Sequence, residues 1–145
     1  MSKKSGKITK ILDHMYLGNR MGAIDKDLLL KLNIKAIVTI GCSPPTHENI
    51  TYLKIGLLDR DNSNILPYMN QIVEFIHSYI IKGNNVFIHC QAGMNRSPSF
   101  VVGYLIKYHN KTFQEAYDIV KAERSIIRIR EAYKTQLQIY YNTRI

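Results

Sequence analysis

The sequence predicts an α/β domain with a central, mostly parallel, twisted sheet flanked by helices and a C-terminal half that is mainly helical. Three observations lead there. Short apolar runs rich in β-branched residues alternate with longer segments of helical periodicity, the pattern of strands joined by helices. The runs at residues 36–40 and 86–89 are apolar at nearly every position, as strands covered on both faces are. Beyond residue 97 only helical patterns occur.

Taken in order, residues 8–12 and 15–17 read as two extended segments around an Asp13-His14 turn. Asp25 is a good N-cap for a helix carrying Leu28, Leu29 and Leu32, which Asn33 stops. The strand at 36–40 is broken by Gly41-Cys-Ser-Pro-Pro45, and residues 52–55 form another strand. A long helix fits residues 67–82, with Met69, Ile72, Val73, Ile76 and Ile80 on one face and Gly83 at its end. The strand at 86–89 leads through a loop into an apolar helix over 98–108. Thr112 and Glu115 form a capping box for a helix through Glu123. A last helix covers roughly residues 131–142, whose Tyr133, Leu137, Tyr140 and Tyr141 can pack on the core or on a partner, the core being the expectation. Residues 1–7 are expected to be a flexible N-terminus and 8–145 a single domain, without repeats or linkers.

A chain of 145 residues, 46% hydrophobic, suffices for one core and leaves no room for a second catalytic domain. No stretch approaches the roughly 18 unbroken apolar residues of a membrane span. The first residues lack a signal-peptide core, Ser2 replaces the glycine that myristoylation needs, and no prenylation cysteine stands near the end. The expectation is a soluble, intracellular protein, cytoplasmic or nuclear. The net charge of +9 favours anionic partners, leaving acidic protein, nucleic acid and anionic lipid open, since no basic-aromatic alternation selects among them. Two cysteines make neither a disulfide framework nor a zinc site.

The segment that carries chemistry is residues 89–97, His-Cys-Gln-Ala-Gly-Met-Asn-Arg-Ser, between a strand and an apolar helix. A loop entering a helix N-terminus offers unpaired N–H groups and the positive end of the helix dipole, a setting that binds phosphate. Gly93 lets the backbone curl so that the N–H groups of Gln91, Ala92, Met94 and Asn95 turn inward. Arg96 can present a planar fork to two phosphate oxygens. The same field favours the thiolate form of a cysteine, which makes Cys90 a nucleophile beneath the bound phosphorus. The Ser97 hydroxyl is placed to hydrogen-bond that sulfur and help it leave.

This segment resembles the signature loop of the protein tyrosine phosphatase superfamily, and the chain resembles its small dual-specificity phosphatases from about Ile8 to Leu137. Tyr16-Leu-Gly18 is similar to the family's early Tyr-Leu-Gly element, and Gln136-Leu137 to its late Gln-Leu pair. Ser125, Ile129, Arg130 and Ala132 depart from the usual pattern, standing where proline, proline, asparagine and glycine are common. The resemblance implies a phosphatase-like fold and a two-step hydrolysis through a cysteinyl-phosphate. A general acid must serve that chemistry, and the candidates are Asp59 and Asp61. The offset of Asp59 from Asn64 matches the family's acid. His89 is expected to hold the loop rather than move protons, and Cys42 is a candidate redox partner for Cys90. No metal or other cofactor is implied, because the loop and Arg96 supply the positive field.

Lipid-directed members of the superfamily tend to carry extra lysines in the loop interior, so the resemblance with an uncharged Gln91, Ala92, Met94 and Asn95 implies a non-lipid substrate, and a chain without the pocket-deepening loop of tyrosine-specific relatives implies a shallow pocket. The expected substrates are phosphorylated proteins, acidic ones suiting the basic surface, at phosphotyrosine and at phosphoserine or phosphothreonine. Two alternatives compete with this reading. An RNA 5′-phosphatase of the superfamily usually carries histidine where Ala92 stands, and a non-catalytic phosphopeptide-binding module typically loses the cysteine.

Overall fold

A computed structural model describes residues 6–60 and 63–144. Among the described residues five strands, β1 (Ile8–Leu12), β2 (Met15–Gly18), β3 (Ile34–Ile40), β4 (Thr51–Ile55) and β5 (Asn85–His89), form one sheet in the order β1-β2-β5-β3-β4. Only the β1–β2 hairpin is antiparallel; the pairs β2–β5, β5–β3 and β3–β4 are parallel. The expected mostly parallel sheet is therefore present, with β5 at its centre.

Helices cover both faces unequally. The chain forms α1 (Arg20–Ile24), α2 (Lys26–Lys31), α3 (Leu66–Ile80), α4 (Arg96–Tyr108), α5 (Phe113–Glu123) and α6 (Glu131–Thr143). Strand alternation sorts the side chains. Val86, Ile88, Val38 and Leu17 face the large core shared with α3 to α6, while Phe87, Ile37 and Tyr16 face a smaller one closed by Ala23 and Leu29 of α1 and α2. Helix α4 is buried from Arg96 to Ile106, so it is the central helix, wrapped by α3, α5 and α6. Tyr133, Leu137 and Tyr140 of α6 pack on the large core.

The capping assignments hold: Asp25 accepts from Leu28 N, and the Thr112–Glu115 box is complete. Most boundaries move by one or two residues from the sequence reading, and two differences bear on the site. Helix α1 was not foreseen, because five residues are too few to show a period; Asn19 caps it by accepting from Gly22 N. Helix α4 starts at Arg96 rather than Pro98. A proline is tolerated throughout the first turn, whose N–H groups have no intrahelical partner, so it need not mark the first residue. That shift puts Arg96 and Ser97 inside the helix's first turn. No helix among the described residues is long and apolar enough to cross a membrane.

The strand register decides where the loops meet. Gly18 and Thr39 both pair with His89, and Ile40 with Ile55, so β2, β3, β4 and β5 end along one sheet edge. The loops leaving that edge gather in one place, where open α/β sheets bind ligands.

Candidate active site

The loop from β5 to α4 is held by its carbonyls. Cys90 O accepts from His89 Nδ1 (3.1 Å), Gln91 O from Arg20 N (3.1 Å), Gly93 O from Arg124 Nε (2.9 Å), and Met94 O from Arg128 N (2.6 Å). Asn95 O accepts from the Ser99 hydroxyl at 2.7 Å. Peptide units are planar and trans, so a carbonyl turned outward turns the next N–H inward. The N–H groups of residues 91, 92, 94, 95 and 96 therefore face the same cup, an anion-binding nest at the start of a long helix. Gly93 has φ +68°, and a side chain there would strike Gly18 O and Arg124. Its own N–H donates to Cys90 Sγ at 3.3 Å, and the Ser97 hydroxyl lies 3.1 Å from that sulfur. Cys90 is buried at the base of the cup.

Arg96 is 7% exposed and donates through Nη1 to Leu57 O at 2.9 Å. Its Nε is buried without a hydrogen-bond partner among the described residues. Gly41, directly after β3, has φ +70°, and a Cβ there would sit 1.8 Å from Arg96 Nη1 and 2.4 Å from Leu57 O. The sequence marked Gly41 only as a strand breaker; its second task is to leave room for the guanidinium.

His89 is fully buried, and that burial pulls its pKa down to about 4, so it is neutral at pH 7. Its Nδ1 faces a carbonyl, which can only accept, and therefore carries the proton; Nε2 then accepts from the Thr39 hydroxyl at 2.9 Å. Cys42 Sγ lies 3.9 Å from the same Nδ1. Burial, and after it the Cys90 sulfur, push the Cys42 thiol up. Cys42 lines a neighbouring recess with Gly41, Lys54 and Leu58 rather than the Cys90 cleft. Both cysteines are free.

Asp59 reaches the cleft from the loop after β4. Its Oδ1 accepts from Asn95 Nδ2 at 2.7 Å and from Arg130 Nε and Nη2 at 3.2 and 2.5 Å. Asn95 Oδ1 in turn accepts from Arg130 N at 2.8 Å, closing a ring between the acid loop, the cup and the start of α6. Gln136 fastens the other end of the acid loop, accepting from Ile65 N at 2.6 Å and donating to Ser63 O at 3.3 Å. Asp61 lies outside the described residues.

Asp59, Cys90, Gln91, Ala92, Met94, Asn95 and Arg96 thus line one open cleft of about 560 Å³, together with Arg128, Ile129 and Arg130. His89, Gly93 and Ser97 support the cup from behind, and Cys42 lies aside. Sequence reasoning missed Arg124. It is fully buried, donates to Gly93 O, Gly6 O and Thr9 Oγ1, and has a pKa lowered by burial and raised by the Cys90 sulfur. Nothing in a lone arginine after a helix distinguishes it from a surface residue. Its cation sits behind the loop and stabilises negative charge inside the cup.

Residues 15–143 match the family described as dual specificity phosphatase, catalytic domain. Mouse dual specificity protein phosphatase 15 is 36% identical over 132 residues, covering 90% of this chain and 56% of that protein. Mouse dual specificity protein phosphatase 1 is 34% identical over 134 residues, covering 91% of this chain and 36% of that protein. The chain spans about half the length, or less, of these curated relatives. A crystal structure of DUSP15 superposes with a TM-score of 0.91 at 29% identity, covering 95% of this chain and 90% of that one.

Proposed function

The chain belongs to the dual specificity phosphatase family, and on that premise we propose that it hydrolyses phosphotyrosine, phosphoserine and phosphothreonine in proteins through a cysteinyl-phosphate. Cys90, as the thiolate, attacks phosphorus in line. The bond to the substrate oxygen breaks, and the departing electron pair takes a proton from Asp59. Arg96 and the inward N–H groups hold the equatorial oxygens and bind them more strongly as charge develops in the transition state. Asp59, now a carboxylate, takes a proton from water, whose oxygen attacks phosphorus. The S–P bond breaks and its electrons return to Cys90, steadied by the Ser97 hydroxyl. The products are the free hydroxyl side chain and inorganic phosphate.

The observation that supports this reading most is the Nε of Arg96, buried with no hydrogen-bond partner among the described residues, on a side chain that lines the cleft with Cys90. An unpaired buried donor costs about 1–3 kcal/mol, a cost that a phosphate oxygen would offset. The cup interior of Gln91, Ala92, Met94 and Asn95 is uncharged, which suits phosphoproteins better than lipid headgroups, and the net charge of +9 suits acidic ones. Phosphate release from para-nitrophenyl phosphate and from phosphopeptides is the test. Cys90→Ser is expected to abolish turnover while still binding phosphopeptide, and Arg96→Lys to be nearly inactive, because a point charge cannot replace the fork. Asp59→Ala should slow peptide turnover by roughly 10²–10⁴-fold; a full rate there would move the acid role to Asp61. Wild-type turnover in Cys90→Ser would sink the mechanism.

Cys42 has a proposed part under oxidation. Hydrogen peroxide converts the Cys90 thiolate to a sulfenic acid, releasing hydroxide; Cys42 then attacks that sulfur and water leaves, giving a reversible disulfide. The raised pKa of Cys42 makes the second step slow. Peptide mapping after mild peroxide would retire the idea if no Cys42–Cys90 pair appears.

A further inference from the structure

Asn95 stands at the N-cap of α4, a position from which an asparagine ordinarily accepts from the N–H of the second or third helical residue. Asn19 behaves in that way at α1, where its side chain accepts from Gly22 N. Asn95 does not. The third residue of α4 is Pro98, which has no N–H, and the N–H of Ser97 receives no side-chain cap. A capping oxygen there would lie at the mouth of the helix, where the cup keeps its donors for a phosphate.

The amide faces the acid loop instead, and its surroundings fix its orientation. Nδ2 donates to Asp59 Oδ1 at 2.7 Å, and Oδ1 accepts from Arg130 N at 2.8 Å. An ionised carboxylate can only accept and a main-chain N–H can only donate, so a flipped amide would lose both bonds. Asn95 is buried, whereas the side chains of Arg130 and Asp59 are 27% and 36% exposed. Of the donors on Asp59, Asn95 is thus the one best shielded from water. All three N–H groups, one from Asn95 and two from Arg130, converge on Oδ1; Oδ2 has no hydrogen-bond partner among the described residues.

We infer that Asn95 is the positioning residue of the acid: its amide holds Asp59 by Oδ1 and leaves Oδ2 to carry the proton that the leaving oxygen receives. The inference rests on the phosphatase reading above and adds to it the atom that moves the proton. In the first step the Oδ2–H bond breaks as the leaving oxygen takes the proton. In the second, Oδ2 takes a proton from the attacking water and is restored. Oδ1 accepts from Asn95 in both steps, because the unprotonated oxygen of a carboxylic acid remains an acceptor. The attraction of Arg130 weakens when Asp59 is neutral; the amide contact does not depend on that charge.

Two esters of similar size test it, para-nitrophenyl phosphate and phenyl phosphate. A nitrophenolate departs with little help from an acid, whereas phenolate, a stronger base, needs the proton. Asn95→Ala should lower kcat/KM about tenfold on phenyl phosphate and no more than about threefold on para-nitrophenyl phosphate, the mark of a misplaced acid. Asn95→Asp keeps the size and the acceptor for Arg130 N but has no N–H for Asp59, so it should show the same selective loss. Should the alanine variant fail to fold, the aspartate variant decides alone. In an Asp59→Ala background, Asn95→Ala should no longer distinguish the two esters, as a residue acting through Asp59 requires. Equal losses on both esters would make Asn95 a structural residue of the cup and overturn the inference. So would wild-type leaving-group dependence in Asn95→Asp, or a selective loss that persists without Asp59. If the wild-type chain hydrolyses neither ester, the phosphatase reading itself fails; hydrolysis with an unchanged leaving-group dependence in the variants defeats only the role of Asn95.

Discussion

His89 ties the end of the central strand to the catalytic loop, and it does so only while neutral. One ring nitrogen donates to Cys90 O and the other accepts from Thr39; a second ring proton would place a positive charge, with no carboxylate partner among the described residues, in a fully buried position. Burial is the main cause that takes its pKa from the ordinary 6.5 to about 4. The unfolded chain therefore binds this proton more readily than the folded one. The stability His89 contributes is complete above pH 6.5 and is lost as pH falls from 6.5 toward 4, about 3 kcal/mol in all. Urea denaturation at pH 7.5 and pH 4.5 should show most of that loss in the wild type. His89→Gln should flatten the difference, leaving the smaller slope of His109, which burial also lowers. The carboxylates held low by partners, such as Asp25 and Glu74, lose stability further toward acid, where their own protonation begins. An undiminished slope in His89→Gln would remove this account of the strand end.

The loop between β5 and α4 was legible because its task needs a fixed order of residue types: a nucleophile after a strand, a glycine in the curl, a guanidinium at the start of a helix. The acid loop was less so. Asp59 could be named only through the resemblance, since two aspartates two positions apart offer the same chemistry and no periodicity separates them. The residues that hold Asp59 were not legible at all, for they come from distant parts of the chain. Asn95 belongs to the cup, Arg130 to the approach to α6, and Gln136 to α6 itself. Long-range hydrogen bonds leave no local pattern, and the same is true of Arg124 behind Gly93. The late Gln-Leu pair was noted as a resemblance; its physical reason is that Leu137 packs in the core while Gln136 pins Ser63 and Ile65, the hinge where the acid loop enters α3. Gln136→Ala frees that hinge and leaves the buried side of Ile65 with an unpaired N–H. We expect a fall in kcat of about tenfold on phosphopeptides with KM little changed, because the cup is untouched and only the placement of Asp59 suffers. Steady-state kinetics on one peptide checks it; a rise in KM alone would place the effect in binding.

Across the whole molecule the charge of +9 acts at a longer range than any of these contacts. The sheet brings four strand ends to one edge, and the basic residues near it, Arg20, Arg96, Arg128 and Arg130, add to the field of the α4 N-terminus. A field of this kind accelerates encounter with an acidic phosphoprotein but does little for a small aryl phosphate, which carries its whole charge into the cup. Salt separates the two contributions. The Debye length shrinks from about 10 Å at 0.1 M to about 3 Å at 1 M, so contacts inside the buried cup survive while steering across the surface is screened. For an acidic phosphopeptide, kcat/KM should fall by about tenfold between 0.05 and 0.5 M sodium chloride, chiefly through slower association. For para-nitrophenyl phosphate the fall should be no more than about twofold, since its anion is desolvated where mobile ions do not enter. Parallel salt dependence for the two substrates would mean that the surface charge serves solubility alone, and that recognition of the partner ends at the rim of the cleft.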